Sequence, residues 1–123
     1  MPLKRAIATL LMTLEDSLDM MELAQVQAPS PELNRILIRR RRAAVVLRNR
    51  LSRKERPLYR SRTSGMAPTL PALIEMELAV LFRFDEALRL PGLDPDLASV
   101  LRGLRSEAEQ ARHSLFALSS RNG

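Results

Sequence analysis

Apolar residues return at helical spacing in four separate stretches, and this periodicity restricts the chain to an all-α fold. The first stripe is Leu3, Ile7, Leu10, Leu14, Leu18, Met21 and Ala24. The second is Leu33, Leu37, Arg40, Ala44, Leu47 and Leu51, in alternating steps of four and three as in a bundle seam. Leu70, Ile74, Glu77, Leu81, Phe84 and Leu88 make the third, and Leu97, Leu101, Leu104, Ala108, Ala111, Leu115 and Leu118 the fourth. Start and stop signals frame them. Ser30-Pro31-Glu32 and Asp94-Pro95-Asp96 each read as a cap followed by proline in the first helical turn. Thr69-Leu70-Pro71 opens the third stripe and Pro91-Gly92 closes it. Helices are therefore predicted over about 3–27, 31–54, 70–90 and 95–119, with a frayed tail from Ser119 to Gly123.

A length of 123 residues sets one domain, 1–123, as the expectation. Apolar residues make up 46% of the chain, but aromatics only 3%, which argues against a sandwich or barrel of alternating strands. With no cysteine, disulfide frameworks, thiol catalysis and cysteine-based zinc sites are excluded. A single histidine excludes most histidine-rich metal sites. No run approaches the roughly 20 apolar residues of a membrane span. Lys4 and Arg5 precede the apolar run from Ala6 to Leu14, but Glu15 and Asp16 follow at once without a small-residue cleavage site. A cytoplasmic protein is the expectation.

Between the second and third stripes lies a polar, basic crossover, 55–68, with Pro57, Gly65 and Pro68. About 14 extended residues reach roughly 45 Å, whereas a helix of about 22 residues is roughly 33 Å long. The crossover is long enough to run the length of a bundle. Short, long and short connections join two αα-hairpins in the ferritin-like manner. A shift of 64 residues superposes the two halves, with Leu10 on Ile74, Leu14 on Leu78, Leu18 on Phe82, Pro31 on Pro95, Leu33 on Leu97, Ala44 on Ala108 and Leu51 on Leu115.

Leu11, Leu14-Glu15-Asp16, Ala24, Pro31-Glu32-Leu33 and the later Arg-Ala run resemble a group of bacterial ferritin-like helical domains of unknown function. Glu77 through Ala87-Leu88, Asp94 to Leu97, and Gln110-Ala111-Arg112-His113 are similar to the same pattern. The resemblance covers nearly the whole chain. It implies a four-helix bundle, often dimeric, and raises the question of a di-iron site with Glu on helices one and three and Glu-x-x-His on helices two and four. The sequence departs from that ligand set. Helix two has no His, and Arg39-Arg40-Arg41-Arg42 stands where Glu-x-x-His belongs. Helix four has Gln110 in place of Glu, and His113 falls opposite Leu104 on the helical wheel. Glu77, Asp85 and His113 are the remaining weak candidates, and no metal or other cofactor is expected.

Two charges break the apolar stripes near mid-helix, Arg40 on the second and Glu77 on the third. Either Arg40 snorkels to water past a shifted stripe, or the two form a buried ion pair, since a lone core charge is very expensive. Residues 34–63 carry twelve Lys or Arg against the single acid Glu55, in a chain whose net charge is only +6. Arg39, Arg42, Arg50, Arg53, Lys54 and Arg56 form a candidate anion-binding patch. The patch reads three ways. It is a solvated face answering Asp16, Asp19, Glu22, Asp85 and Glu86, a site for an acidic protein or membrane surface, or a nucleic-acid site with only Tyr59 for stacking.

There is no Ser-His-Asp set, phosphate loop or acid pair in a cleft, so no catalytic residue is assigned. The expected function is a non-catalytic ferritin-like bundle working through self-association or a protein partner. A basic anion or nucleic-acid binder and a metal-binding bundle are the alternatives. Homodimerisation is expected from Leu11, Met12 and Met20 on helix one and Met76, Val80 and Phe82 on helix three, which lie off the main stripes.

Overall fold

The computed structural model describes residues 2–58 and 65–122. Four helices account for most of them: α1 (Pro2–Gln27), α2 (Pro31–Arg48), α3 (Leu70–Leu88) and α4 (Pro95–Asn122). Among the described residues there is no strand, and no helix is long and apolar enough to cross a membrane.

Local chemistry sets the boundaries. Pro29 ends α1 because it has no N–H to continue the ladder. Ser30 is extended ahead of Pro31, its Oγ accepts from the Leu33 amide at 3.2 Å, and it donates to Glu32 Oε2 at 2.9 Å. The Ser30 amide donates to Gln25 Oε1 at 3.1 Å, which fastens the α1–α2 turn. Thr69 caps α3 in the same way through the Ala72 amide. Gly92, at φ +74, supplies the left-handed residue between α3 and α4.

Helix two stops at Arg48, six residues short of the predicted end. Asn49 closes it, and the Arg50 and Leu51 amides turn back onto the carbonyls of Leu47 and Arg48. The turn still buries Leu51, so burial at that position reflects the turn and not a further helical step. Arg56 Nε donates to the Arg48 and Leu51 carbonyls, at 3.1 and 3.2 Å, and the Ser52 amide donates to Glu55 Oε1. These contacts satisfy helix-end carbonyls that another turn would have used. Helix four, in contrast, continues to Asn122 instead of fraying at Ser119. Arg121 in its last turn lies 3.8 Å from Glu32, and a cation there also suits the helix dipole.

The stripes pack as two apolar clusters. One joins the first half of α1 (Ile7 to Leu14) to the end of α2 (Ala43 to Leu47), the end of α3 (Val80 to Ala87) and the start of α4 (Leu97, Leu101). The other joins Met20, Met21 and Ala24 to Leu33, Ile36 and Leu37, to Leu73, and to Ala111 and Leu115. From this grouping, α1 and α4 run one way and α2 and α3 the other. Helix two therefore ends, and α3 begins, at opposite ends of the molecule. Around the bundle α1 packs on α2 and α3, and α4 packs on α2 and α3, while α1–α4 and α2–α3 are diagonals without close backbone approach.

The hydrogen bond from Ser30 holds the Glu32 carboxyl below the ordinary glutamate range, after the larger effect of the Glu32 backbone N–H and ahead of Arg121 and Arg35. A lowered folded-state pKa means that its stabilising effect is complete above the unfolded value and is lost as pH falls through the folded one. The start of α2 should therefore loosen below about pH 4. Ser30→Ala should cost about 1 kcal/mol at neutral pH. Denaturant melts, with hydrogen exchange at the Leu33 and Asn34 amides, measure both effects.

Candidate functional site

Between the two apolar clusters lies a polar layer of Thr13, Asp16 and Ser17 from α1, Arg40 from α2 and Glu77 from α3, all buried. Helical spacing puts each of them on its helix's inward stripe, so none reaches water without leaving the core. Arg40 is 4% exposed and Glu77 is 0% exposed. The Arg40 guanidinium donates from Nη2 to Glu77 Oε2 at 2.5 Å and from Nη1 to Ser17 Oγ at 2.6 Å. Ser17 Oγ donates onward to the Leu14 carbonyl at 2.7 Å. Thr13 is satisfied within its own helix by the Thr9 carbonyl. One planar side chain thus ties α2 to α1 and, across the diagonal, to α3. Glu77 Oε1 is buried and has no hydrogen-bond partner among the described residues.

This arrangement places a fixed positive charge against the carboxylate that a metal would need. Glu77 faces a guanidinium, which repels a cation. Asp85 is held by Arg105 Nε at 2.7 Å, and this ion pair raises the Arg105 pKa, with the hydrogen bond to Asp85 as its largest cause. The His113 side chain is 69% exposed and lies 3.4 Å from Glu109 on its own helix. Glu15 and Glu22, at the edges of the α1 stripe, are engaged by Arg48 and Arg41. Among the described residues no three His, Cys, Asp or Glu side chains converge on one point. A di-iron ligand set does not fit these residues.

The residues of the basic patch differ in what they touch. Arg42 pairs with Glu107 of α4 at 2.9 Å, and Arg39 donates to Gln110 of α4 at 3.0 Å. Arg56 is committed to backbone carbonyls, while Arg50, Arg53 and Lys54 are exposed in the turn after α2. The acids that answer the arginine run also differ from those expected. Glu22 does meet Arg41, but Asp85 and Glu86 are bound by Arg105 and Arg83, and Glu107 on α4 does what α3 was expected to do. Tyr59, Arg60 and Arg62 lie outside the described residues.

Sequence reasoning missed a cleft between α2 and α4. The seam is lined by Ala43, Ala108 and Ala111, which leave a hollow of about 300 Å³ where leucines would fill it. Ala108 and Ala111 on the fourth stripe, with Ala43 beside the second, were the available signal. Compared with protein-family models, with curated proteins and with solved structures, the chain gives no match to any of the three.

Removing one member of the buried pair leaves the other uncompensated. Arg40→Met or Glu77→Leu alone should cost on the order of 3–5 kcal/mol. The double variant should cost much less, so a double-mutant cycle in urea should show coupling well beyond the about 0.5 kcal/mol scatter of additive pairs. Ser17→Ala, which strands only Nη1, should cost about 1–3 kcal/mol.

Proposed function

We propose that the chain is a ferritin-like four-helix bundle of two αα-hairpins that performs no metal chemistry and acts through its surface, by pairing with a second copy of itself. A cytoplasmic location belongs to the same reading and rests on the sequence alone. Three features support the bundle assignment: two antiparallel hairpins, parallel α2 and α3, and a connection whose ends lie at opposite poles. The internal ion pair supports the absence of metal chemistry.

The basis for self-association is narrower than the sequence indicated. Leu11, Met20 and Val80 are core residues, and Met12 and Met76 are half-buried, because each helix's inward arc is wider than one stripe. Phe82 remains, 55% exposed, with Leu78 at 50% one turn away. The observation that carries the proposal is the pattern on this outer face of α3. At 100° per residue, Glu75, Leu78, Ala79, Phe82, Glu86 and Arg89 share one side of the helix, centred on Phe82. Two copies of α3 packed antiparallel about a two-fold axis would bring Phe82 against its own counterpart. The same axis would set Glu75 opposite the partner's Arg89, seven residues to either side of Phe82. A two-fold interface needs this kind of self-complementary patch. Glu75 and Arg89 are both exposed. Arg83, over the Phe82 ring at 5.6 Å, borders the patch and is balanced by Glu86 at 2.6 Å.

Light scattering at tens of micromolar should give a dimer, and Phe82→Glu should give a folded monomer. Glu75→Arg should weaken the dimer, and Glu75→Arg with Arg89→Glu should restore it. A monomeric parent protein, or a dimer indifferent to Phe82→Glu, overturns the proposal. Protein purified from cells supplied with iron and manganese should carry well under one metal atom per chain by elemental analysis.

A further inference from the structure

The cleft between α2 and α4 combines an apolar floor with a charged rim. Its walls are thinned by Ala43, Ala108 and Ala111, and its floor reaches Leu14 of α1 and Phe84 of α3, both core residues. The α2–α4 seam is the loosest of the four helix contacts, so the hollow opens between two helices without unpacking a core cluster. A volume of about 300 Å³ lies at the lower end of ligand-binding pockets. At roughly 30 Å³ per close-packed small group, it holds about ten non-hydrogen atoms.

The charges around the hollow choose the ligand's head. The lining has three guanidinium groups, Arg35, Arg39 and Arg40, and two carboxylates, Glu32 and Glu107. Both carboxylates are committed. Glu107 takes Arg42 at 2.9 Å and Arg39 at 4.0 Å, and Glu32 takes the Ser30 hydroxyl at 2.9 Å and Arg121 at 3.8 Å. The charge of Arg40 is already answered by Glu77, and its Nη1 donates to Ser17. Arg35 is exposed at the mouth, and among the described residues it has no carboxylate within ion-pair distance. Its only effect on Glu32 is the weakest of those that lower that carboxyl. A free guanidinium presents a planar fork matched to a carboxylate.

We infer that this cleft binds a small amphipathic monocarboxylate, its carboxylate on Arg35 and its apolar body against Leu14, Phe84 and the alanine walls. The size limit and single fork point to an aliphatic or aromatic acid of about ten non-hydrogen atoms. A polyphosphate would need more free cations than the rim provides. None of the residues on the Phe82 face lines this site, and the inference does not depend on self-association.

Octanoate, with ten non-hydrogen atoms, is the probe, and octan-1-ol and octylammonium carry the same tail on a neutral and a cationic head. Titrated into the full chain and followed by amide chemical shifts, octanoate should saturate with a Kd of about 1 mM or below. The shifts should fall on residues 35–43 and 104–114. Octan-1-ol should bind about tenfold more weakly, and octylammonium more weakly still. Arg35→Gln, an exposed change that leaves the core intact, should lower octanoate affinity to that of octan-1-ol without altering the alcohol. Ala111→Leu, which fills the hollow, should abolish binding of both. If that variant fails to fold, Arg35→Gln alone decides the matter. Equal binding of the three heads, shifts elsewhere on the bundle, indifference to Arg35→Gln, or no saturation overturns the inference.

Discussion

A guanidinium in the centre of a four-helix bundle must be neutralised and hydrogen-bonded where it lies, and the arrangement of the other helices follows from how Arg40 achieves this. It crosses the α2–α3 diagonal to Glu77 and takes Ser17 of α1 with its second nitrogen. Burying two charges is costly, and an apolar pair of the same shape is often as stable or more so. What the ion pair supplies is discrimination. The two apolar clusters are interchangeable in chemistry, and leucines tolerate sliding past one another. A charge with one partner does not. An arrangement that keeps both in the core but apart buries two uncompensated charges.

The same interaction explains why the middle of the bundle has no room for cation chemistry and why the α2–α4 side is hollow. Arg40 is drawn toward α1 and α3, away from α4. Helix four meets α2 at this level with Ala108 and Ala111. Nothing on α4 replaces the volume that Arg40 would have filled had it pointed the other way. The cleft thus borders the ion pair: Arg40 lines it together with Leu14 and Phe84, and Ala43, Ala108 and Ala111 thin its walls.

Much of this was readable from the residues. Almost every stripe position is buried or half-buried, because periodicity reports the inward face whatever its neighbours are. The two charges on the stripes were visible as anomalies, although the sequence leaned to snorkelling over pairing. Pairing depends on which helices stand across a diagonal, which is a property of the assembled bundle. The 64-residue offset matches Leu33 with Leu97, Ala44 with Ala108 and Leu51 with Leu115 in burial, yet it fails at Leu14 and Leu78, the first buried and the second half exposed. The α2 boundary was misplaced because Leu51 keeps the helical spacing while the chain turns, held there by the Arg56 side chain eight residues after Arg48. Spacing alone does not distinguish a buried turn from a further helical step. The cleft was not legible because a hollow is defined by absent volume on two helices at once.

The run Arg39-Arg40-Arg41-Arg42 looked like an anion-binding stripe because consecutive residues point all round a helix. That same geometry gives each arginine a different neighbour. With Arg40 turned inward to α1 and α3, Arg39 and Arg42 fall toward α4, where they meet Gln110 and Glu107, and Arg41 falls toward α1, where it meets Glu22. The three outer contacts are exposed and each is worth only about 0–1 kcal/mol, so they do not hold the bundle together. Their effect appears when α2 is imagined rotated by one residue. The rotation of about 100° would still offer Glu77 a guanidinium, from Arg39 or Arg41, but it would move Arg40 to the surface, turn the buried Leu33, Leu37 and Leu47 off the inward face, and separate the remaining arginines from Glu22, Glu107 and Gln110. Four adjacent arginines on a helix meet four different surroundings. They are a coherent choice for a helix that must touch three others in a single rotational setting.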